Sequence, residues 1–158
     1  MKADNSSKYA FQQPLLANSA LKPSKADVQT ATAQAQDLLK LRFSTKLFRL
    51  GSAVQIKQKV SYPVSGTADA KPGVIVQRID DTVGTDADAK LKGVVVVFNA
   101  SDDDVQQVVP VAKGAAYTLS GVQAKGSDPV VKTSTFARAS GTFTVPARTV
   151  AVFELRQS

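Results

Sequence analysis

The chain has 158 residues, of which 43% are hydrophobic, and this is enough for one globular domain with one main core. It contains no cysteine and no histidine. These absences exclude disulfide bonds, remove the usual ligands of zinc, copper and iron, and remove the commonest general base near neutral pH. The formal net charge of +7 lies entirely in residues 1–60, which hold ten basic and three acidic residues, whereas residues 61–158 hold ten of each.

Residues 1–23 are polar and are interrupted by Pro14 and Pro23. We expect this segment to be irregular and either docked or disordered. Its few candidate docking groups are hydrophobic: Tyr9, Phe11, Leu15, Leu16 and Leu21. The segment lacks the hydrophobic centre of a signal peptide, and no apolar run approaches the roughly 18 residues of a membrane-spanning helix. We therefore expect a soluble chain with no membrane partner.

A helix is predicted over residues 24–43. Ser24 stands at the expected N-cap position and Asp27 follows three residues later, a pattern that satisfies free backbone N–H groups. Hydrophobic residues then recur at spacings of three and four, which places them on one helical face. They are Val28, Ala31, Ala35, Leu38, Leu39 and Phe43. This apolar stripe needs a surface against which it can be buried.

Beyond Gly51 the hydrophobic period changes to two. Val54, Ile56 and Val60 alternate with polar residues, which predicts a strand with one exposed face. Further runs rich in β-branched and aromatic residues predict strands at 72–80, 93–101, 105–112, 116–120, 142–145 and 149–155. Glycine and aspartate turn formers separate them, so we predict a mainly β fold, an antiparallel β-sandwich preceded by one amphipathic α-helix. The unbroken run Val94 to Val97 predicts a central strand covered on both faces.

Two acidic stretches, residues 80–93 and Asp102 to Asp104, raise the question of calcium. The first does not match an EF-hand loop, because counting from Asp86 puts Lys90 at the third ligand position and Leu91 at the glycine position. We expect both stretches to form solvated turns whose aspartates have ordinary acidity. Calcium at another kind of site stays an alternative without a motif, and no other metal or cofactor is expected.

Catalytic signatures are lacking. The only glutamate, Glu154, lies in the last predicted strand, so no pair of catalytic carboxylates can be assigned. The chain has no nucleophile elbow, phosphate-binding loop or dinucleotide fingerprint. No catalytic residue is therefore predicted.

The choice of binding partner is less constrained. The basic residues stand singly without interleaved aromatics, so nucleic acid is not an expected partner, although a basic surface for an anionic protein stays open. The chain has no tryptophan, which weakens a sugar-binding platform. Tyr62 and Tyr117 are the candidates for contact with a carbohydrate.

Several blocks of sequence resemble a known family. They are LLKLRFSTKLFRLG (38–51), PGVIVQRIDD (72–81), VVVVFNAS (94–101), DPVVKTSTF (128–136) and GTFTVPARTVAVF (141–153). In order, from about Gln13 to Phe153, the chain closely resembles the C-terminal region of bacterial pullulanase-type α-1,6-glucosidases, the starch-debranching enzymes of glycoside hydrolase family 13. The resemblance implies that residues 1–50 are the end of a catalytic (β/α)₈ barrel with its last helix. Residues 51–158 would then be a Greek-key-like C-terminal sandwich.

The resemblance also implies a function. The catalytic carboxylates of the family lie upstream of the matched region, so we expect a non-catalytic accessory domain that stabilises the barrel of a debranching enzyme. The residues expected to pack against the barrel are Val28, Leu38, Leu39, Phe43, Leu47, Phe48 and Leu50. The alternative is a stand-alone α-glucan-binding module that uses Tyr62 and Tyr117. The cellular compartment stays open, with a secreted or envelope-associated bacterial parent enzyme as one option.

Overall fold

The computed structural model describes residues 4–157, and within them the strands form two antiparallel sheets. In chain order the strands are β1 (Val60–Ser61), β2 (Val74–Asp80), β3 (Leu91–Asn99), β4 (Val105–Val108), β5 (Thr118–Leu119), β6 (Thr135–Ala137), β7 (Thr142–Val145) and β8 (Thr149–Arg156). The five-stranded sheet has the order β1-β2-β3-β8-β5, and the three-stranded sheet has the order β4-β7-β6. The predicted mainly β, antiparallel fold is confirmed.

The main core lies between the two sheets. Phe143 of β7 is fully buried and packs edge-on against Phe153 of β8, with ring centroids 4.8 Å apart. Val95 and Val97 of β3 belong to the same cluster. The alternation of side chains along each strand therefore gives one apolar face per sheet, as a sandwich requires.

The predicted central strand is confirmed. All of Val94 to Val97 are buried, and β3 pairs with β2 on one side and with β8 on the other. Val94 and Val96 point away from the sandwich core, toward what we call the outer face of the five-stranded sheet. There Val94 packs in a cluster with Leu47, and Val96 packs in a cluster with Leu41. Helical segments thus supply the second cover that a strand without alternation needs.

The helices are α1 (Tyr9–Ala17), α2 (Lys25–Ser44), α3 (Ala53–Lys59) and α4 (Gly121–Lys125), with a 3₁₀ turn at Lys46–Arg49. The start of α2 is as predicted: the N–H of Asp27 donates to Ser24 Oγ (3.1 Å), and the N–H of Ser24 donates to Asp27 Oδ2 (2.8 Å). This reciprocal box satisfies two N–H groups that the helix cannot pair internally.

Two expectations for the first 60 residues are wrong. Within the expected irregular segment, residues 9–17 form α1, which continues through Pro14 and has no buried residue. Residues 1–3 of that segment lie outside the described part of the chain. The strand predicted from Val54 to Val60 is mostly the helix α3, capped by Ser52, whose Oγ accepts the N–H of Gln55. Val54 and Ile56 are both exposed, so their alternation does not reflect a one-sided burial.

Smaller differences concern the second half of the fold. The predicted strand at 105–112 ends at Val108 and gives way to a 3₁₀ turn, and the one at 116–120 has only two paired residues. Helix α4 and strand β6 were not predicted. Within residues 4–157 no helix has the length and apolar character needed to cross a bilayer. The predicted boundary between residues 1–50 and 51–158 stays a prediction. Leu47 and Ile79 share one apolar cluster across it, so the two parts are packed together there.

Candidate functional site

The candidate site is a groove of about 550 Å³ on the outer face of the five-stranded sheet. It lies between the C-terminal half of α2, the 3₁₀ turn, α3 and strands β2, β3 and β8. Its floor consists of buried residues: Leu41, Leu47, Ile79, Val96 and Val152. Its walls include the exposed side chains of Leu38, Ile56, Phe98 and Val150. The groove is therefore an open apolar surface rather than a closed cavity.

Helix α2 is held beside this groove by a contact with the end of α4. Asp37 Oδ2 accepts the backbone N–H (2.6 Å) and the hydroxyl (2.8 Å) of Ser127, and Asp37 Oδ1 accepts from Lys40 Nζ (2.9 Å). The backbone hydrogen bond from Ser127, followed by the bond from Lys40, lowers the pKa of Asp37 to about 2. These bonds fix the direction in which α2 leaves the sandwich.

The residues predicted to pack against a barrel fall into two groups. On α2, Val28, Leu38, Leu39 and Phe43 are 54 to 62% exposed, so the described part of the chain, residues 4–157, does not cover the predicted stripe. Leu47, by contrast, is buried, and Phe48 and Leu50 are half-buried beside it. Leu47 packs on the sheet within this chain, which is inconsistent with direct contact to another region. Contact of the four helix residues with a barrel stays a prediction.

Sequence reasoning missed Leu41, the single buried residue of α2. It lies on a different face from the stripe, together with Gln34 and Asp37, which are half-buried. The spacing 34, 37, 41 is helical, but it contains one hydrophobic residue only, and so it gives no periodic hydrophobic signal. Helix α2 therefore has one face on the sandwich and a second, apolar face that stays open.

The two tyrosines proposed for carbohydrate contact lie in different environments. Tyr62 is 50% exposed, and its hydroxyl accepts a hydrogen bond from Gln77 Nε2 (3.0 Å). Tyr117 is 7% exposed and packs edge-on against Phe136 and Phe143, and burial raises the pKa of Tyr117. A sugar ring could not stack on Tyr117, so that part of the prediction is wrong; Tyr62 remains a candidate.

A buried ion pair borders the site. Lys59 Nζ lies 2.8 Å from Asp81 Oδ1, both side chains are 0% exposed, and Lys59 also donates to the carbonyl oxygen of Val83. Asp81 accepts the N–H groups of Ala87 (3.1 Å) and Asp88 (2.8 Å). Burial alone would raise the pKa of Asp81, but the bonds from Lys59 and from these N–H groups outweigh it, and the pKa is lowered. The expectation that residues 80–93 form a wholly solvated turn is therefore wrong.

The same loop is tied to the start of the 3₁₀ turn, because Thr45 Oγ1 donates to Asp88 Oδ2 (2.5 Å) and the Thr45 hydroxyl also accepts the N–H of Leu47 (3.1 Å). Leu47 is thus anchored by its backbone as well as by its burial. Through α3 and this loop, the ion pair and the hydroxyl hold one wall of the groove in place.

Three other acidic residues have structural partners. Asp102 pairs with Arg148 (2.6 Å) and Asp104 accepts the N–H of Ala147 (3.0 Å), so residues 102–104 form the predicted turn. Glu154 is buried and accepts from Ser120 Oγ (2.8 Å) and Arg156 (2.7 Å). Among residues 4–157, no three acidic side chains converge in an arrangement that could hold a metal ion.

Comparison with known proteins gives the family of the chain. The family model described as "Alpha-1,6-glucosidases, pullulanase-type, C-terminal" matches residues 1–156. The chain is 32% identical to Pullulanase 1, chloroplastic, of Arabidopsis thaliana, over 96% of this chain and 16% of that protein. It is also 32% identical to a pullulanase of Klebsiella pneumoniae, over 85% of this chain and 12% of that protein. The chain therefore spans less than a fifth of the length of these relatives.

Solved structures agree with the sequence comparison. The crystal structure of PulA from Klebsiella oxytoca matches with a TM-score of 0.75 and 31% identity, over 86% of this chain and 13% of that one. The maltotriose complex of PulA from Klebsiella pneumoniae matches with a TM-score of 0.76 and 32% identity, over 86% of this chain and 14% of that one. What is matched is the C-terminal domain and not the catalytic barrel. This chain belongs to the family of C-terminal regions of pullulanase-type α-1,6-glucosidases.

Proposed function

We propose that the chain is a non-catalytic accessory domain of a pullulanase-type debranching enzyme, whose catalytic barrel hydrolyses α-1,6-glucosidic linkages, and that the domain stabilises that barrel. The observation that carries the proposal is the open apolar face of α2. A chain whose family match is to a C-terminal region presents an uncovered helical face within its first 50 residues. That is where a preceding catalytic region would connect.

The size of the open surface supports a role in packing. Fully burying a Val, Leu or Phe side chain contributes about 1.5 to 3 kcal/mol, so covering the exposed halves of four such side chains would contribute roughly 3 to 6 kcal/mol. Helix α1 adds Phe11 and Leu16, which are also exposed. Exposed apolar side chains in this number are typical of an interaction site in soluble proteins.

The carboxylates support the absence of catalysis in this domain. Asp81 and Glu154 are the two buried carboxylates among residues 4–157. The first is held by Lys59 and two backbone N–H groups, and the second by Ser120 and Arg156. A general acid needs a raised pKa and access to substrate, whereas the pKa of Asp81 is lowered and its side chain is enclosed.

A domain exchange tests the proposal. The chain replaces the matched C-terminal region of the Klebsiella pneumoniae pullulanase, and pullulan hydrolysis and the temperature of inactivation are compared with those of an enzyme truncated before that region. We expect the chimera to be active and more heat-resistant than the truncated enzyme, and the isolated chain to be inactive. Turnover by the isolated chain that disappears in the variant Glu154→Gln would contradict the proposal, as would a truncated enzyme as stable as the chimera.

A second candidate function, weak α-glucan contact, has one observation in its favour. The ring of Tyr62 is exposed, and Gln77 fixes its hydroxyl, so the ring could serve as a stacking surface. The test is calorimetric titration of the chain with maltotriose. Binding that is lost in Tyr62→Ala and kept in Tyr62→Phe would support the candidate, since phenylalanine keeps the ring, and no measurable heat would count against it.

A further inference from the structure

The groove beside α2 has an unbalanced charge. Its charged lining residues are Arg42 and Arg49, and no carboxylate of residues 4–157 lines it. Arg42 is exposed and has no ion-pair partner within those residues, while the guanidinium of Arg49 lies 4.8 Å from the ring centroid of Phe43. The apolar groove is therefore bordered by two guanidinium groups that form no ion pair within residues 4–157, although Asp86 lines a neighbouring cleft together with Arg49.

A second groove, of about 420 Å³, shares Leu38, Phe98 and Val150 with the first and provides a comparison. Its charged residues all have partners inside the chain. Asp37 accepts from Ser127 and Lys40, Asp128 accepts the N–H of Val130, and Arg148 pairs with Asp102. Among the residues that line these two grooves, unpaired positive charge is thus confined to the arginine side of the shared apolar ridge.

Helix α2 also leaves one row of apolar residues on the outer face of the sheet uncovered. Ile75, Phe98 and Val150 stand side by side on β2, β3 and β8, and they are 37 to 53% exposed. In the neighbouring row, Val96 and Val152 are buried in a cluster with Leu41. An added segment lying along the groove would continue the cover over the open row.

We propose that the occupant of this groove is a segment of the enzyme's catalytic region that presents apolar side chains to Leu38, Phe98 and Val150 and carboxylates to Arg42 and Arg49. This inference rests on the proposed function and specifies the chemistry of the contact. The relatives are several times longer than this chain, so the catalytic region can supply such a segment. A second copy of the chain fits less well, because it would bring its own basic first 60 residues against this one.

Peptide binding tests the chemistry directly. Short overlapping peptides that cover the catalytic part of the Klebsiella pneumoniae pullulanase are labelled and titrated with the chain, and binding is read by fluorescence anisotropy at low and high salt. We expect the bound peptides to combine Leu, Ile or Phe with Asp or Glu, and to bind more weakly at high salt.

Matched variants locate the contact. The pair Arg42→Gln and Arg49→Gln should weaken binding by about fivefold, as expected for the loss of two exposed ion pairs. The control pair Lys113→Gln and Lys132→Gln removes the same charge from exposed positions outside this groove and should leave binding within about twofold. Circular dichroism of each variant checks that the fold is kept.

The chimera gives a second readout for a contact too extended for a short peptide. In it, Arg42→Glu with Arg49→Glu should lower the inactivation temperature more than Lys113→Glu with Lys132→Glu. The inference is overturned if the bound peptides lack carboxylates or bind the arginine variant equally well. It is also overturned if no peptide binds and the two charge reversals have the same effect in the chimera. A stable, active chimera together with either result would leave the accessory-domain proposal standing and remove only the groove contact.

Discussion

Replacing Lys59 by Met should destabilise the chain strongly, because it leaves the carboxylate of Asp81 buried without its counter-ion. At the observed separation of 2.8 Å, the attraction between the two charges is about 6 kcal/mol at an effective dielectric constant of about 20. Taking both ions out of water costs several kcal/mol per ion, so the intact pair contributes little net stability. Removing one partner loses the attraction but keeps the cost of burying the other.

The expected losses can be measured by urea unfolding followed by circular dichroism. Lys59→Met and Asp81→Asn should each lower the free energy of unfolding by about 3 to 5 kcal/mol. The double variant should lose clearly less than the sum of the two, because it buries no unpaired charge and Asn can still accept one of the two N–H groups. An unchanged dependence on urea concentration in all four proteins would show that the extent of unfolding is the same.

The double-mutant cycle of Lys59 and Asp81 can refute this interpretation in two ways. Single variants that each cost less than about 1 kcal/mol would mean that the two charges are solvated in solution, as surface ion pairs are. Strictly additive losses would mean that Lys59 and Asp81 contribute independently. Either result would refute the interpretation of this pair as a closed, charge-balanced anchor for α3 and the loop after β2.

Three further predictions concern other parts of the fold. Gly141→Ala should destabilise the chain more than Gly114→Ala in thermal unfolding. Both glycines have φ between +72° and +81°, but a Cβ at 141 would lie 2.8 Å from the carbonyl oxygen of Val109, whereas a Cβ at 114 would meet nothing within 4 Å. Equal losses of stability would contradict this. The pKa of Asp37 is lowered from 3.8 to about 2, so its contribution to stability is present above the higher value and is lost as the pH falls through the lower one. Acid unfolding of Asp37→Asn should therefore depend less on pH in that window than unfolding of the parent chain, and parallel curves would count against it. Phe143→Ala should cost about 3 to 5 kcal/mol of unfolding free energy in urea, since the ring is fully buried among other aromatic rings, and a loss below about 1 kcal/mol would place it outside the core.

Local patterns with a single physical meaning were predicted correctly from the sequence. A strand can bury the four consecutive apolar side chains of Val94 to Val97 only if both of its faces are covered, and in the structure both faces are covered. Ser24 and Asp27 form the expected helix cap because the bonds involved lie within four residues. Residues 142–145 form a strand with the predicted bounds.

Patterns with two meanings were not resolved. The alternation from Val54 to Val60 is short enough to fit a helix. The cap at Ser52 is a local signal that favours the helix and was missed, whereas the burial of Lys59 against Asp81 is visible only in three dimensions. In the same way, Asp81 was expected to be exposed because its partner lies 22 positions earlier in the sequence. The open face of α2 was correctly identified as apolar, but no pattern within these residues identifies the surface that covers it.

The place of β8 in the five-stranded sheet has a consequence for the synthesis of the protein. This strand comes last among the strands, yet it lies between β3 and β5 and pairs with β3 from Leu91 to Asn99. Until residues 149–156 have left the ribosome, one edge of β3 therefore has no pairing strand. The buried valines of β3 then also lack the neighbouring side chains that β8 supplies. An unpaired apolar edge is a template for association with other chains. A nascent chain that pauses before this strand should accordingly be the form most dependent on chaperones.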